Sequence, residues 1–191
     1  METARRRAEK RDHLLDTAIR LFNRHGYHAT GVDRLIEETG IAKTTLYRHF
    51  ASKEDLIVAA LARVDEQARD EMRIFVEAAS EDPSARILAT FDQLALWLKD
   101  PEFKGCPFVA AAAEYGGAAD PVFQQARLHK RLYLAYVEEL VRAARIKDPK
   151  VVAQQLIMLH EGAIAYAQVL GTDGVAAVAK RAAERLIGER K

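Results

Sequence analysis

Four of the chain's five prolines directly follow an aspartate, at Asp82-Pro83, Asp100-Pro101, Asp120-Pro121 and Asp148-Pro149. Aspartate accepts hydrogen bonds from the free N–H groups of a helix's first turn, and proline lacks the N–H that would have no partner there. Each pair therefore predicts a helix start. Long segments of helical composition follow three of the pairs, at 83–99, 121–146 and 149–170. Gly105 follows the Asp100 pair so closely that only a turn is predicted there.

The remaining segments also show helical periodicity bounded by end signals. Further helices are predicted at 9–25, 32–39, 43–49, 53–78 and 175–187, and a short alanine-rich helix is predicted after Cys106-Pro107. Thr30 with Asp33, and Ser52 with Asp55, resemble the capping pairs that begin a helix. No segment alternates with the period of two that a strand requires. The sequence therefore predicts an all-α protein.

Composition excludes several classes of protein. Hydrophobic residues make up 49% and charged residues 30%, which is typical of a globular chain. The longest charge-free run, 162–172, is shorter than the ~18 apolar residues that indicate a membrane-spanning helix. The first twelve residues lack the apolar core of a secretory signal. The single cysteine, Cys106, excludes an intramolecular disulfide, and we expect a reducing, cytoplasmic location.

Positive charge is concentrated at the start of the chain. Residues 1–50 hold 10 Lys/Arg against 7 Asp/Glu, whereas residues 51–191 hold 19 against 21. Arg5, Arg6, Arg7, Lys10 and Arg11 form a basic segment within the first twelve residues. The asymmetry is modest, so a nucleic-acid partner has to be argued from motifs rather than from net charge.

Two short helices joined by a glycine turn, 32–39 and 43–49, have the layout of a helix-turn-helix. In the second helix, Leu46 and Phe50 are predicted to pack on Leu35, Ile36 and Ile41. The opposite face carries Lys43, Thr44, Thr45, Tyr47 and Arg48, and no acidic residue lies between Gly40 and Ala51. A solvated face more commonly includes glutamates, so this face is predicted to approach a polyanion such as DNA.

The run TGVDRLIEETGIAKTTLYRHFASKEDL, residues 30–56, closely resembles the DNA-binding signature of the TetR/AcrR family of one-component transcriptional repressors. The motifs that carry the resemblance are Thr45-Leu46-Tyr47, His49-Phe50, Lys53 and Leu56. The chain departs from the family pattern at Ile36, where a small residue is common, and at Ala42, where a serine often caps the helix. An alanine cannot cap, which costs about 1 kcal/mol of helix stability.

The resemblance implies a role for each residue that matches the family motif. It implies phosphate contacts for Tyr47, His49 and Lys53, and a further phosphate clamp formed by Thr30 with the N–H groups of its helix start. Lys43, Thr44 and Thr45 would face base edges, and Arg48 could do either. Arg5, Arg6 and Arg7 look like an arm for the minor groove or flanking phosphates, the alternative being a disordered basic tail.

A helix-turn-helix of this size reads few base pairs, so a homodimer on a palindromic operator is expected. We predict a DNA-binding domain at 1–52 and a helical regulatory and dimerisation domain at 53–191. Interface candidates lie on two apolar stripes, with a closed monomer core as the alternative: Val151, Val152, Leu156, Leu159 and Ala163, then Val175, Val178, Ala179, Ala182 and Leu186.

The regulatory domain also contains material for an effector pocket. A set of aromatic and polar residues on helices around one core would suit a small, mostly apolar ligand; its members are Trp97, Phe103, Cys106, Phe108, Tyr115, Tyr133, Tyr136, His160 and Tyr166. The resemblance implies that such an effector releases the DNA, with helix 53–78 as the connection. Plain core packing is the alternative for each residue, and no cofactor is predicted.

Three other readings of the function stay open at this point. Cys106 could act as a thiol sensor of oxidants or electrophiles. The regulator could instead be controlled by a protein partner, without any small-molecule effector. An enzyme is the least supported, because Cys106 with His129 or His160 has no recognisable acid partner or oxyanion site. The run HEGAI at 160–164 also lacks the second histidine of a zinc motif.

Overall fold

The structure is a computed structural model that describes residues 2–188, and side chains from residue 4 onward. Within that range every regular element is an α-helix, which confirms the predicted all-α class. The elements are α1 (Glu2–His25), α2 (Val32–Thr39), α3 (Lys43–His49), α4 (Lys53–Ala79), α5 (Pro83–Trp97), α6 (Pro107–Glu114), α7 (Pro121–Ala143), α8 (Pro149–Leu170) and α9 (Val175–Gly188).

The described chain divides into two compact units. The first comprises the residues up to Glu66 together with Pro107–Leu128, and the second comprises Gln67–Cys106 and the described residues from His129 onward. Helix α6 and the start of α7 therefore belong with the N-terminal helices. The predicted division at residue 52 concerns function and stays a prediction.

The first unit has its core beneath α1, α2, α3 and the start of α4. Leu14, Leu35, Leu46 and Leu56 are all fully buried, and α2 packs against both α1 and α3. An ion pair across the outside of this core joins α4 to α1, since Arg63 contacts Asp12 and places its Nη1 2.8 Å from Asp16 Oδ1. The packing holds α3 on a rigid frame.

The second unit is organised around α9, which packs on α5 and on α8. Its buried face is built from alanines, with Ala176, Ala179 and Ala183 all inside, and such small residues let neighbouring helices approach closely. Lys180 Nζ of α9 lies 2.7 Å from both carboxylate oxygens of Asp92 on α5. This pair links α9 to α5.

The aspartate–proline pairs begin helices as predicted, but not all in the same way. Asp82 accepts from the Ala85 N–H at 3.0 Å, and Asp120 accepts from the Val122 N–H at 2.8 Å. Asp100 opens only a turn. Asp148 instead takes a left-handed conformation, with φ 53° and ψ 52°, and forms no side-chain cap, although α8 still begins at Pro149.

Two predicted helix boundaries are wrong by three residues or more. Helix α1 begins at Glu2 rather than at residue 9. Helix α7 ends at Ala143 rather than at 146, because Arg145 is left-handed (φ 56°) and the Ile146 N–H bonds back to the Val141 carbonyl at 3.3 Å. This pattern ends a helix by satisfying its last carbonyls. Of the helices described, none has the length and apolar content to span a membrane.

Candidate DNA-binding surface

The turn between α2 and α3 fixes the position of the second helix. Gly40 ends α2 in the left-handed region (φ 65°), and its N–H bonds to the Ile36 carbonyl at 2.9 Å. Leu46 is fully buried and Phe50 nearly so, as are Leu35 and Ile41, while Ile36 is half-buried. The predicted apolar face of α3 therefore lies inward, and its polar face is left outside.

The outward face of α3 is polar, cationic and free of acidic residues of its own. Lys43, Thr44, Tyr47 and Arg48 are exposed, with 44% of Tyr47 accessible, and Thr45 is half-buried. Arg48 Nη2 donates to Thr45 Oγ1 at 3.2 Å. Lys43 Nζ lies 3.1 Å from Asp33, but that pair is exposed and holds the ammonium only weakly. The face can present both hydrogen-bond donors and positive charge to a duplex.

A basic groove lies beside this face, between the first turns of α1 and the end of α3. It has a volume of about 350 Å³ and is lined by Ala4, Arg7, Ala8, Arg11 and His49. The Arg11 guanidinium also lies 5.4 Å above the ring of Phe50. Sequence analysis named Arg11 in the basic segment but not among the DNA contacts, and it did not predict the helical extension before residue 9 that holds Arg7.

The surroundings of His49 disfavour its protonated form. The pKa of His49 lies below its usual value, first because the ring is partly buried and then because of the cations on α1 and α3. The cations that act on it are Arg7, Arg48, Arg11 and Lys10. Burial disfavours any charge, but these four cations disfavour only a further positive one and would favour an anion.

The predicted phosphate clamp and the predicted basic arm have different surroundings from those expected. Thr30 is fully buried, and its hydroxyl donates to the Gly26 carbonyl at 2.7 Å, so its side chain cannot clamp a phosphate. The N-cap of α2 is Gly31, which has no side chain to cap with. Arg5, Arg6 and Arg7 lie within α1 and form neither an extended arm nor a tail, and Arg5 Nε contacts Glu9 at 2.8 Å.

Lys53 lies at the start of α4, as predicted, and is half-buried. Its Nζ donates to the His28 carbonyl at 3.2 Å. Burial lowers its pKa, and the nearby carboxylates of Glu54 and Glu114 act in the opposite direction. Lys53 therefore links the start of α4 to the segment before α2.

That segment is held by a carboxylate that sequence analysis did not single out. Glu114, at the end of α6, accepts from the backbone N–H of Tyr27 at 2.9 Å and of His28 at 2.5 Å. The His28 ring lies 4.5 Å from the ring of Tyr115. At the other end of α6, the Tyr27 hydroxyl donates to the Pro107 carbonyl at 3.0 Å. We call this set of contacts the α6 clamp.

Helix α3 lacks a side-chain cap, as predicted from its sequence. Its N-cap is Ala42, with φ −59° and ψ 142°, a backbone conformation that a capping serine also adopts. Ala42→Ser is expected to stabilise the first unit by about 1 kcal/mol, because the hydroxyl can accept from the free N–H groups of the first turn. Urea unfolding followed by circular dichroism measures the gain. Ala42→Val, which cannot cap, is the control, and equal stability of the two variants would contradict the prediction.

In the second unit, His160 is the centre of a buried polar chain. Its Nε2 lies 3.1 Å from Thr90 Oγ1, whose hydroxyl is also 2.7 Å from the Ile87 carbonyl. The Tyr133 hydroxyl lies 3.3 Å from His160 Nδ1, and the Phe91 ring is 4.1 Å from the imidazole. Burial and then the charge of Lys130 lower the pKa of His160 to about 3, while burial raises the pKa of Tyr133. The chain is therefore electrically neutral.

Other predicted pocket residues form separate contacts in the same unit. The rings of Trp97 and Phe103 meet edge to face at 5.1 Å. The Tyr136 hydroxyl is buried without a partner among the described residues, beneath the Arg73 guanidinium at 5.0 Å from the ring. Cys106 is buried, and its Sγ lies 3.2 Å from Lys130 Nζ.

Three predicted pocket residues lie elsewhere, and their role in a pocket stays a prediction. Phe108 and Tyr115 belong to the first unit, where Tyr115 packs on His28. Tyr166 is 56% exposed and lies on the outer face of α8. Thr90 and Phe91, which do contact His160, were not predicted, because nothing in the chain marks them apart from other residues on the inner face of α5.

The predicted dimer stripes also need correction. Val152, Leu156, Ala163 and Ala179 are buried within the unit, so their side chains cannot face a partner. Val151 and Val178 are exposed, and Leu159, Val175, Ala182 and Leu186 are half-buried. Helix α8 has apolar residues on two faces. One face is buried within the unit, and the exposed face carries a second stripe: Val151, Met158, Gly162, Ala165, Tyr166 and Val169.

Two family models match the chain. The model described as "Bacterial regulatory proteins, tetR family" matches residues 14–60, which include α2 and α3. The model described as "Tetracyclin repressor-like, C-terminal domain" matches residues 83–183.

Similar proteins cover between 78% and 96% of the chain. A TetR-family transcriptional regulator from Streptomyces coelicolor is 32% identical in its solved structure, with 96% of each chain covered and a TM-score of 0.86. The HTH-type transcriptional regulator LmrA of Bacillus subtilis is 29% identical over 78% of this chain and 82% of its own length. The HTH-type transcriptional regulator YjdC of Escherichia coli is 24% identical over 93% of both.

Proposed function

The chain belongs to the TetR family of bacterial regulatory proteins and is a helix-turn-helix transcriptional regulator, and we propose that it represses transcription by binding a palindromic operator as a homodimer. Residues 1–52 would bind the DNA and residues 53–191 would dimerise and receive the signal. A repressor of this kind acts where the DNA is, in the cytoplasm.

The observation that carries this proposal is the cationic, acid-free face of α3. Lys43, Thr44 and Arg48 point away from the core and can reach base edges in the major groove, where lysine and arginine pair with guanine. Tyr47, His49 and Lys53 border that face and suit phosphate contacts. The basic groove adds Arg7 and Arg11 to the phosphate-facing side.

A binding selection against random duplex DNA at several salt concentrations tests this function. Recovery of a palindrome with steep salt dependence would support the proposal, because the phosphate contacts of two protomers release counterions together. A protein that recovers no preferred sequence at any salt concentration would contradict it.

Lys53→Ala is expected to weaken binding to all duplex sequences by a similar factor and to flatten the salt dependence by about one unit per protomer. The reason is that an ammonium facing a phosphate contributes charge without reading a base. Anisotropy titrations at several salt concentrations measure the slope, and an unchanged slope would remove Lys53 from the phosphate contacts.

Lys43→Ala is the contrasting variant. Since Lys43 lies on the base-facing side of α3, its loss should relax the preference at particular base pairs by about 1–3 kcal/mol while other positions keep theirs. A uniform loss over all sequences would place Lys43 with the phosphate contacts instead.

The exposed stripe of α8 supports the homodimer. Met158 is 71% and Val169 79% accessible, and the small residues Gly162 and Ala165 lie between them, which suits close packing against the same stripe of a second copy. Val178 of α9 is also exposed and would extend the interface.

Val169→Asp is expected to convert the dimer to a monomer, because two-fold symmetry places both new charges in one apolar interface. Light scattering after size exclusion measures the mass. Val109→Asp alters an exposed valine of α6 outside the stripe and should leave the dimer intact. A dimeric Val169→Asp variant would exclude the stripe as the interface.

A small, mostly apolar effector is proposed for the second unit, and its binding would favour a conformation that no longer matches the operator. The buried chain of Thr90, His160 and Tyr133 supports this, since it places hydrogen-bonding groups among apolar residues. Thermal shift with a panel of hydrophobic compounds tests the proposal. No stabilisation by any compound would favour control by a protein partner.

A further inference from the structure

The basic groove has the shape and lining of a site for one phosphodiester. Arg7 and Arg11 are four residues apart on α1 and lie on the same face of that helix. Ala4 and Ala8 lie on that face too, and their small side chains leave the floor of the groove open to an anion. His49 closes the opposite side. The groove thus combines two guanidinium groups and one imidazole around a single space.

His49 differs from the two arginines because its charge is not fixed. The charged groups that act on it among the described residues are all cations: Arg7, Lys10 and Arg11 from α1, and Arg48 from its own helix. Without an anion these neighbours favour the neutral imidazole. A phosphate in the groove would offset their charge and would favour the imidazolium, which also donates a hydrogen bond.

We propose that the basic groove binds a backbone phosphate of the duplex together with a proton on His49, so that DNA binding consumes protons and strengthens as the pH falls. This rests on the proposed DNA-binding function and adds to it a coupling between DNA binding and proton binding, which we call the linkage. The sign follows from the groove's lining: its arginines disfavour the imidazolium in the free protein and a bound phosphate would offset them, so the bound form holds more protons than the free form.

The test measures the affinity of the full chain for one labelled duplex of about 24 mixed-sequence base pairs, at constant low ionic strength between about pH 5.5 and 8. The association constant is expected to rise by up to about tenfold per pH unit for each engaged groove as the pH falls. Calorimetry in two buffers of different ionisation enthalpy should report uptake of up to about one proton per protomer.

His49→Gln should remove most of the pH dependence. His49→Lys should remove it too, but should bind tightly even at the alkaline end, because its charge is permanent. The matched control is His25→Gln, since the pKa of His25 is also lowered, by slight burial and then by Arg34 and Arg24, yet His25 lies outside the groove. Circular dichroism confirms that each variant is folded.

The outcomes separate the two proposals. A steep pH dependence in the wild type and in His25→Gln, lost in both His49 variants, supports the linkage. Equal pH dependence in wild type and His49→Gln overturns the linkage while leaving DNA binding intact. Failure of the wild type to bind this duplex at any pH, even at low ionic strength, overturns the DNA-binding function itself, and the linkage with it.

Discussion

Glu114→Ala is expected to lower the free energy of unfolding of the first unit by about 2–3 kcal/mol. The carboxylate accepts from two consecutive backbone N–H groups, at 2.9 Å from Tyr27 and 2.5 Å from His28, and also lies 3.4 Å from the His28 ring. Charge-assisted bonds of this kind are stronger than neutral ones, but the exposure of His28 reduces the contribution of the ring. Alanine would leave two donors without their acceptor.

The same substitution should weaken DNA binding, because the α6 clamp positions the segment directly before α2. Lys53 donates to the carbonyl of His28, so displacement of that segment also displaces a predicted phosphate contact. Urea unfolding and amide hydrogen exchange over residues 27–40 measure the stability and the local opening. Glu114→Gln keeps the shape of the side chain and one neutral acceptor, so the free energy of unfolding should fall by about half as much as in Glu114→Ala.

Wild-type stability in the Glu114→Ala variant would contradict this account, and it would mean that water replaces the carboxylate at no cost. Equal losses in the alanine and glutamine variants would attribute the effect to charge rather than to the two backbone hydrogen bonds.

The second large effect concerns pH and the second unit. The pKa of His160 is about 3 in the folded protein and about 6.5 in an unfolded chain, so the unfolded state binds the proton first as the pH falls. Stability from the neutral histidine is therefore fully present above pH ~6.5 and is lost progressively below it. Between about pH 7 and pH 5 the free energy of unfolding of the second unit should fall by about 2 kcal/mol through this group alone.

His160→Gln isolates the contribution of that group. Glutamine can still hydrogen-bond to Thr90 but cannot titrate, so the variant should be less stable at pH ~7 and should depend less on pH. Trp97 is the chain's only tryptophan and lies in the second unit, so its fluorescence follows the unfolding of that unit. Parallel stability–pH curves for the two proteins would exclude His160 as the source of the acid sensitivity.

Local signals predicted much of this fold because they act over a few residues. Asp82 and Asp120 cap their helices through atoms two or three residues away, and Gly40 ends α2 through its own left-handed conformation. Asp148 shows the limit of the same signal. The Asp148-Pro149 pair predicted where α8 begins. The capping rule does not include the left-handed backbone of Asp148, which lies in the turn that follows α7.

Faces were harder to predict than helices. Helix α8 has apolar residues on two faces, and periodicity alone does not say which of Val152 and Val169 points inward. In α3 the choice was clear, because one face is polar and the other apolar. The predicted phosphate contact of Thr30 was wrong for a related reason. A threonine is equally suited to cap a helix and to donate a buried hydrogen bond to a carbonyl, and sequence alone does not distinguish the two.

Contacts between residues far apart in the chain could not be predicted from the sequence. Glu114 lies 86 residues from His28, and the contact exists because α6 packs within the first unit. The groove likewise depends on α1 extending as a helix to Glu2, so that Arg7 and His49 face one space. Both features required the packed structure.

The α6 clamp has a consequence for the order in which the protein can fold during synthesis. The helix-turn-helix leaves the ribosome early, but the unit that contains it is completed only by Pro107–Leu128. Domains that fold as units during translation do so once their last segment has emerged. The first unit therefore reaches its complete packing only after Glu114 is outside the ribosome, when more than half of the chain has been made.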